Sequence, residues 1–399
     1  METGLEQVKA LPRLLYFGDV PVEATYHGSA LLYRLLEDYP KERLIIVEAG
    51  LKASTKENRL SGVKYLSRLL SFRFVQNTRF SHYYAFLNLV LANARAWFHL
   101  KEARSFGVDA ILTVSHGYSW VTATKLASIL RLPLHLICHD EWVQIGAMQA
   151  LKSRTFAAGY DQASSRLCVS SYMAEEYEAR YGKCADVLLP CRSKGSKKYD
   201  AAPIKRIDDV HALTFVFAGT INSQGVIESL NLLAASLALV QGKLLIFGPL
   251  SPQEAKVAGL TAPNIILEGL VPSADLIDRI HDRADALFVP MSFDEADRRN
   301  MEMSFPSKLT DYTAAGVPML IYGPTYCSAV RWAQENSGVA EVVTIEGRES
   351  LGIAIARFTK DAGYRLQLAN NAVEVGERMF SHKTAQVIFL KYLESGCSV

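Results

Sequence analysis

The chain lacks most of the features that assign a function at a glance. Its six cysteines, Cys138, Cys168, Cys184, Cys191, Cys327 and Cys397, include no CxxC pair. That gives no support to a CxxC-type redox or metal motif, and reduced, mostly structural thiols are the expected state. No apolar run approaches the roughly 20 residues that a membrane span requires, and no apolar segment of the signal-peptide kind opens the chain; a cytoplasmic protein is expected. Charge of one sign is scarce too, with 43 Lys plus Arg against 41 Asp plus Glu, which gives nucleic acid no electrostatic claim as the main partner. Low-complexity and Pro/Ser-rich tracts are absent, so disorder explains nothing here.

What remains is a globular composition, 49% apolar and 21% charged over 399 residues, too long for one ordinary α/β core and suited to two. Short apolar, β-branched runs recur at 14–17, 44–47, 110–114, 134–138, 167–170 and 187–189. Helical periodicity fills the intervals at 29–38, 79–104, 120–130, 141–157 and 172–181. This β-α-β-α alternation predicts a mostly parallel, doubly wound sheet. Around 192–211 the chain turns polar and basic and loses its periodicity, which predicts a linker; a second series of runs then begins at 214–218, 243–247, 264–267, 286–289, 319–322 and 339–343. The expected organisation is a first domain over 1–205, a second over 206–378, and a terminal segment over 379–399. Two such sheets present strand ends and helix N-termini to a shared crevice, the expected ligand site.

A nicotinamide-binding reading fails at the glycines, because no GxGxxG follows either first strand and Gly219–Gly225 has the wrong spacing. The most informative segment is Phe305-Pro-Ser-Lys-Leu-Thr-Asp-Tyr-Thr-Ala-Ala-Gly316. Pro306 suits the first turn of a helix, so backbone N–H groups near Ser304 to Ser307 are available to a phosphate, and Lys308 adds a full positive charge. Ser307, Lys308 and Asp311 share one helix face, where a carboxylate can accept from ribose hydroxyls. The same pattern also fits a capped amphipathic helix with an ordinary Lys308–Asp311 ion pair.

With the paired exits His116-Gly117 and His139-Asp140, and with Phe215-Val-Phe-Ala-Gly-Thr220, Leu244-Leu-Ile-Phe-Gly-Pro249 and Ala284 to Pro290 in the second half, the chain resembles the fourth family of retaining GT-B glycosyltransferases over nearly its whole length. The resemblance implies two Rossmann-like domains facing a cleft, with the end from Phe380 to Leu393 forming a helix that crosses back to the first domain. It implies transfer of a sugar from a nucleotide diphosphate sugar, with retention, onto a saccharide or lipid-linked saccharide. It further implies that His139, with Asp140, touches the donor sugar, while Gly219, Thr220, Gln224, Gly248, Ser307, Lys308 and Asp311 line the donor site. Two departures stand out. Met303 occupies the place of the family's first acidic residue, and Thr220 and Gln224 replace the Arg and Lys that grip the diphosphate. Compensating charge then has to come from Lys308, a helix N-terminus, or Arg298 or Arg299.

Gly28, in His27-Gly28-Ser29, opens a helix and lets N–H groups approach a phosphate, or simply fixes the helix start. His116 is read as shaping its loop and His135 as a core residue. No His or Cys cluster has metal-ligand spacing in the sequence, so no metal and no cofactor are expected. Lys52, Lys56, Arg59, Lys64, Arg68, Arg73 and Arg79 face one acid, Glu57, over 52–79, which suits either peripheral contact with an anionic membrane or a solvated amphipathic helix. An inactive GT-B-like scaffold that binds nucleotide or sugar is the alternative to an enzyme.

Overall fold

The computed structural model of the protein describes residues 11–395 except 25–26, 69–77, 79, 142–148, 201–211 and 222, and leaves aside the side chains of 27, 28, 81, 82, 273, 274 and 395. The chain divides into two compact units, 1–189 with 385–399, and 190–384. The boundary falls after Leu189 rather than at 205, because the first residues expected in the linker are packed into the second unit: Arg192 N–H donates to the Phe380 carbonyl at 2.9 Å and Tyr199 N–H to that of Ala314 at 2.8 Å.

Unit 1 holds seven parallel strands, β1 (Leu14–Gly18), β2 (Leu44–Glu48), β3 (Lys64–Ser67), β4 (Ala110–Val114), β5 (Leu134–Cys138), β6 (Ser165–Cys168) and β7 (Asp186–Val187), in the order β3-β2-β1-β4-β5-β6-β7. The middle strands are buried end to end, as strands covered on both faces must be. Helices α1 (His27–Leu36), α2 (Ser81–Val90), α3 (Ala92–Phe106), α4 (Ser119–Leu130), α5 (Gln149–Gln162) and α6 (Ser171–Tyr181) connect them. The helix expected over 141–157 runs instead from Gln149 to Gln162, with 142–148 outside the described residues.

The basic stretch also differs from expectation. It contains the edge strand β3, not a helix over Lys64–Ser67. Arg59 is held inside the fold by Glu48 (3.3 Å) and Ser54 (2.7 Å), and Arg68 pairs with Glu102 of α3 at 2.9 Å. Lys52, Lys56 and Lys64 are exposed; Arg73 and Arg79 lie outside the described residues.

Unit 2 holds β8 (Thr214–Ala218), β9 (Lys243–Phe247), β10 (Ile265–Gly269), β11 (Ala286–Pro290), β12 (Met319–Tyr322) and β13 (Glu341–Val343), all parallel, in the order β10-β9-β8-β11-β12-β13. Its helices are α7 (Gln224–Ala238), α8 (Pro252–Val257), α9 (Ser273–Arg283), α10 (Arg298–Met303), α11 (Lys308–Tyr312), α12 (Ser328–Glu335), α13 (Arg348–Lys360) and α14 (Ala362–Phe380). Phe215, Phe217, Leu233, Leu237, Phe288 and Phe358 anchor one core cluster of this unit. In each sheet the winding direction reverses once, between β1 and β4 and between β8 and β11. Such switch points leave a crevice at the strand carboxyl ends.

The last helix, α15 (His382–Ser395), returns to unit 1 from Ala385 onward. Ala385, Phe389 and Leu393, four residues apart, are buried, and the Gln386 amide donates to the carbonyls of Arg34 and Leu35 at 3.0 and 2.8 Å. Those carbonyls belong to the last turn of α1, where a helix has no internal donor to offer.

Candidate functional site

In unit 2 the strand exits beside the switch point converge on Lys308. Gly219, just past β8, has φ +144° and donates its N–H to Phe247 at 2.9 Å. A Cβ on Gly248 would sit 2.4 Å from the Gly219 carbonyl oxygen, so the β8 and β9 exits touch and tolerate no side chain at Gly248. The Lys308 ammonium lies 4.0 Å from the Phe217 ring centroid and 3.6 Å from where a Cβ on Gly219 would stand. It forms no ion pair among the described residues, so the Lys308–Asp311 pair allowed by the sequence is not what the fold uses. Burial pushes the Lys308 amine down to about 7, because a cation over a ring and away from carboxylates loses water without gaining a counter-charge.

The surrounding helix is held firmly. The Tyr312 hydroxyl accepts the Ala218 N–H at 2.7 Å, tying α11 to the end of β8. The buried Arg192 guanidinium donates to the Thr310 carbonyl at 2.9 Å and the Thr313 hydroxyl at 3.0 Å, and its remaining end lies 3.3 Å from Glu377. Gly376 leaves room for that guanidinium, since a Cβ there would stand 2.4 Å from Arg192 Nη2.

The other donor-side residues are placed less uniformly. Thr220 and Asp311 are half-buried and Ser307 is exposed at the cap of α11. Gln224 opens α7, but its amide donates to Glu228 at 3.1 Å. The Ser304 N–H donates to Asn300 at 2.9 Å, which removes one of the N–H groups expected to face a phosphate. Arg298 is engaged with Glu295 (3.1 Å) and Glu302 (2.9 Å) and lies over Tyr326. It is therefore no reserve of positive charge for an anion, whereas Lys308 is.

Unit 1 carries a second cluster at the exits of β1, β4 and β5. The Asp19 carboxylate accepts the N–H groups of Tyr118 (2.8 Å) and Ser119 (2.5 Å) at the start of α4. Burial raises its carboxyl to about 6, against the lowering effect of those N–H groups and of His116. Gly117, at φ +62°, is required beside it, since a Cβ would fall 2.3 Å from the Asp19 carboxyl carbon.

His116 Nδ1 and His139 Nδ1 lie 3.8 and 3.5 Å from Asp140 Oδ2, and the two rings are 5.4 Å apart. Burial, then the neighbouring His139, lowers the basicity of His116. The Nε2 atom of His139 is buried and has no hydrogen-bond partner among the described residues. His116, His139 and Asp140 each offer one ligand atom within 4.8 Å of the others, a juxtaposition that sequence spacing does not reveal.

Gly28 lies in α1, but its surroundings fall outside the described residues. His135 is a core residue as expected, bonded to Ser165 at 2.8 Å, with burial lowering its pKa to about 4. Asp19, His116 and Arg192 are the residues that sequence reasoning missed as parts of these clusters. Each acts on a partner remote in sequence, and only the polar character of the strand exits hints at them.

No protein-family model and no curated protein sequence matches the chain. Its fold is similar to that of Anabaena HepE, solved with UDP and glucose, at 13% identity over 96% of this chain and 99% of that one, with a TM-score of 0.66. It is similar as well to a Rickettsia africae glycosyltransferase (12% identity, 96% and 98% covered, TM-score 0.68) and to Thermosynechococcus elongatus sucrose-phosphate synthase (15%, 94% and 96%, 0.64). The chain has the GT-B fold. Coverage is near-complete in both directions, so the likeness takes in both units, and the low identities leave the chemistry to the residues described above.

Proposed function

We propose that this GT-B protein is a glycosyltransferase that binds a nucleotide diphosphate sugar in unit 2, with Lys308 against the diphosphate. The observation that carries the reading is an ammonium without a counter-charge at a strand exit beside the switch point, on the helix that aligns with the family's donor motif. Lys308 supplies the charge that Thr220 and Gln224 lack. Asp311, on the same short helix, accepts from ribose hydroxyls. HepE was solved with UDP and glucose, so a UDP-hexose is the first donor to test.

In the proposed reaction the bond between the anomeric carbon and the diphosphate oxygen breaks, the electron pair leaves with the nucleoside diphosphate, and an acceptor hydroxyl bonds to the same face. The acceptor proton passes to the departing phosphate oxygen. Lys308 acts on the charge that develops on that leaving group, which is where a fixed cation gains most between ground and transition states. His139 and Asp140 orient the sugar. We propose a saccharide or lipid-linked saccharide as acceptor, retention of configuration, a cytoplasmic setting and no dependence on a metal.

A second reading, a scaffold that binds donor without turnover, draws on Met303 in place of an acid and on Gln224 being turned to Glu228. A thermal-shift and product-release screen over common nucleotide sugars, with Lys308→Ala and Asp311→Ala alongside, separates the two. Stabilisation of the wild type alone with release of nucleoside diphosphate supports the enzyme, stabilisation without release supports the scaffold, and no stabilisation refutes the site.

A further inference from the structure

The long helical segment of unit 1 carries large apolar side chains on its outward face. α2 and α3 run on with little interruption, since Leu91 N–H donates to Leu87 and Arg95 N–H to Leu91, both at 2.9 Å. Along this segment the packed face mixes small and larger residues, with Ala85, Ala92, Ala96 and Ala103 buried beside Tyr84, Asn88, His99 and Leu100. The opposite face presents Phe86, Leu87, Val90, Leu91, Trp97 and Phe98 to solvent, Trp97 being 65% and Phe98 82% exposed. At helical spacing these six fall on one continuous arc. Ordinary surfaces expose large apolar groups singly, and a contiguous stripe of this kind marks an interaction site.

Charge identifies what covers it. From Phe80 through Lys101 the chain contains no Asp or Glu. Lys101 and Arg104 are exposed and continue the same arc at its C-terminal end. The first acid, Glu102, is neutralised by Arg68 at 2.9 Å. Arg68, itself exposed, follows the edge strand β3. No helix among the described residues is long and apolar enough to cross a membrane. An apolar stripe of aromatic and aliphatic side chains, free of acids and flanked by cations, is the pattern of a helix lying in the plane of an anionic bilayer surface.

We propose that the exposed α2–α3 face docks unit 1 on a membrane surface that carries anionic lipid. This moves the membrane contact from the basic stretch 52–79 to the aromatic face of α2–α3, with Lys101 and Arg104 as its electrostatic flank. Docking does not rest on glycosyl transfer and is read without turnover.

The test is co-sedimentation of the full chain with vesicles of phosphatidylcholine alone and of phosphatidylcholine mixed with phosphatidylglycerol, together with sedimentation velocity without lipid. Wild-type protein is expected to pellet with the mixed vesicles. The Trp97→Glu/Phe98→Glu variant, whose changes are at exposed positions, is expected to retain the wild-type melting curve and to bind at least roughly tenfold less. Lys101→Glu/Arg104→Glu is expected to lose the preference for anionic vesicles. The proposal is overturned if the wild type stays in the supernatant with both vesicles, or if the Trp97/Phe98 variant pellets like the wild type. A concentration-dependent dimer that this variant abolishes, without vesicle binding, also overturns it and assigns the face to a second copy of the chain.

Discussion

Replacing Lys308 by Met keeps the length and apolar stem of the side chain and removes only its ammonium. Burial holds that amine near 7 in the native protein, far below its ordinary value of 10.5. The unfolded chain therefore binds one more proton than the native state between about pH 7 and pH 10.5, and the native stability tied to Lys308 rises with pH across that window. Below pH 7 the charge is carried in both states and its desolvation cost is felt in full. The full difference from 10.5 to about 7 would correspond to about 5 kcal/mol; Lys308 is only half-buried, and solvent screening leaves about 1–2 kcal/mol of it.

Lys308→Met is thus expected to stabilise the ligand-free protein at pH 6, raising the melting temperature of unit 2 by roughly 2–6 °C, with the gain shrinking toward pH 10. The same substitution removes a charge-assisted contact to the donor diphosphate, worth about 1.5–3 kcal/mol, or roughly 10- to 100-fold in Kd. Differential scanning fluorimetry across pH and titration calorimetry with the donor measure the two effects. A Met variant that is less stable than the wild type at pH 6, or that binds donor equally well, would refute the assignment of Lys308 as a stored, unsatisfied charge.

Wild-type donor affinity should itself fall above pH 7, by up to tenfold per unit, as Lys308 loses its proton before the donor arrives; calorimetry at pH 6.5, 7.5 and 8.5 checks the slope. Arg192→Ala strips the clamp from the Thr310 carbonyl and Thr313 hydroxyl and should cost about 2 kcal/mol in chemical denaturation, with weaker donor binding as α11 loosens. Asp19→Ala orphans the Tyr118 and Ser119 N–H groups and should destabilise by about 1–3 kcal/mol, while Asp19→Asn, which still accepts, should recover most of that loss in the same melts. His139→Ala should lower kcat more than it raises donor KM in a nucleotide-release assay, and prior treatment with a chelator should leave wild-type turnover unchanged.

The strands were legible wherever both faces are covered. The runs at 110–114, 134–138, 214–218, 243–247 and 319–322 match their observed strands residue for residue, because a strand buried on both sides must be apolar throughout and is cut off sharply by polar exits. Lys64–Ser67 escaped notice because an edge strand pairs on one side only and shows a short, mixed pattern. Its Tyr65 is fixed by contacts with Leu60 and Val22, which no local pattern announces.

The donor helix was legible from its local spacing, but the direction of Lys308 was not, since Phe217 and Gly219 come from a strand some 90 residues earlier. The same limit hid Asp19, whose partners are 99 and 100 residues away. The segment 79–104 read correctly as helical, yet its outward face could not be read. With apolar residues on all sides, periodicity does not say whether the alanines or the aromatics turn inward, and the packing against α4 settles it.

The return of α15 to unit 1 makes that unit discontinuous along the chain, since it closes only when residues 385–399 arrive. During synthesis all of unit 2 emerges between the two parts of unit 1. Unit 2, contiguous from 190 to 384, can form on its own schedule, whereas α1 waits with the carbonyls of Arg34 and Leu35 uncapped and the sites for Phe389 and Leu393 open. A nascent chain halted before 385 therefore exposes unit 1, the part made first, and leaves the later part whole. Quality control acting on unfinished copies would meet its target at the N-terminal end.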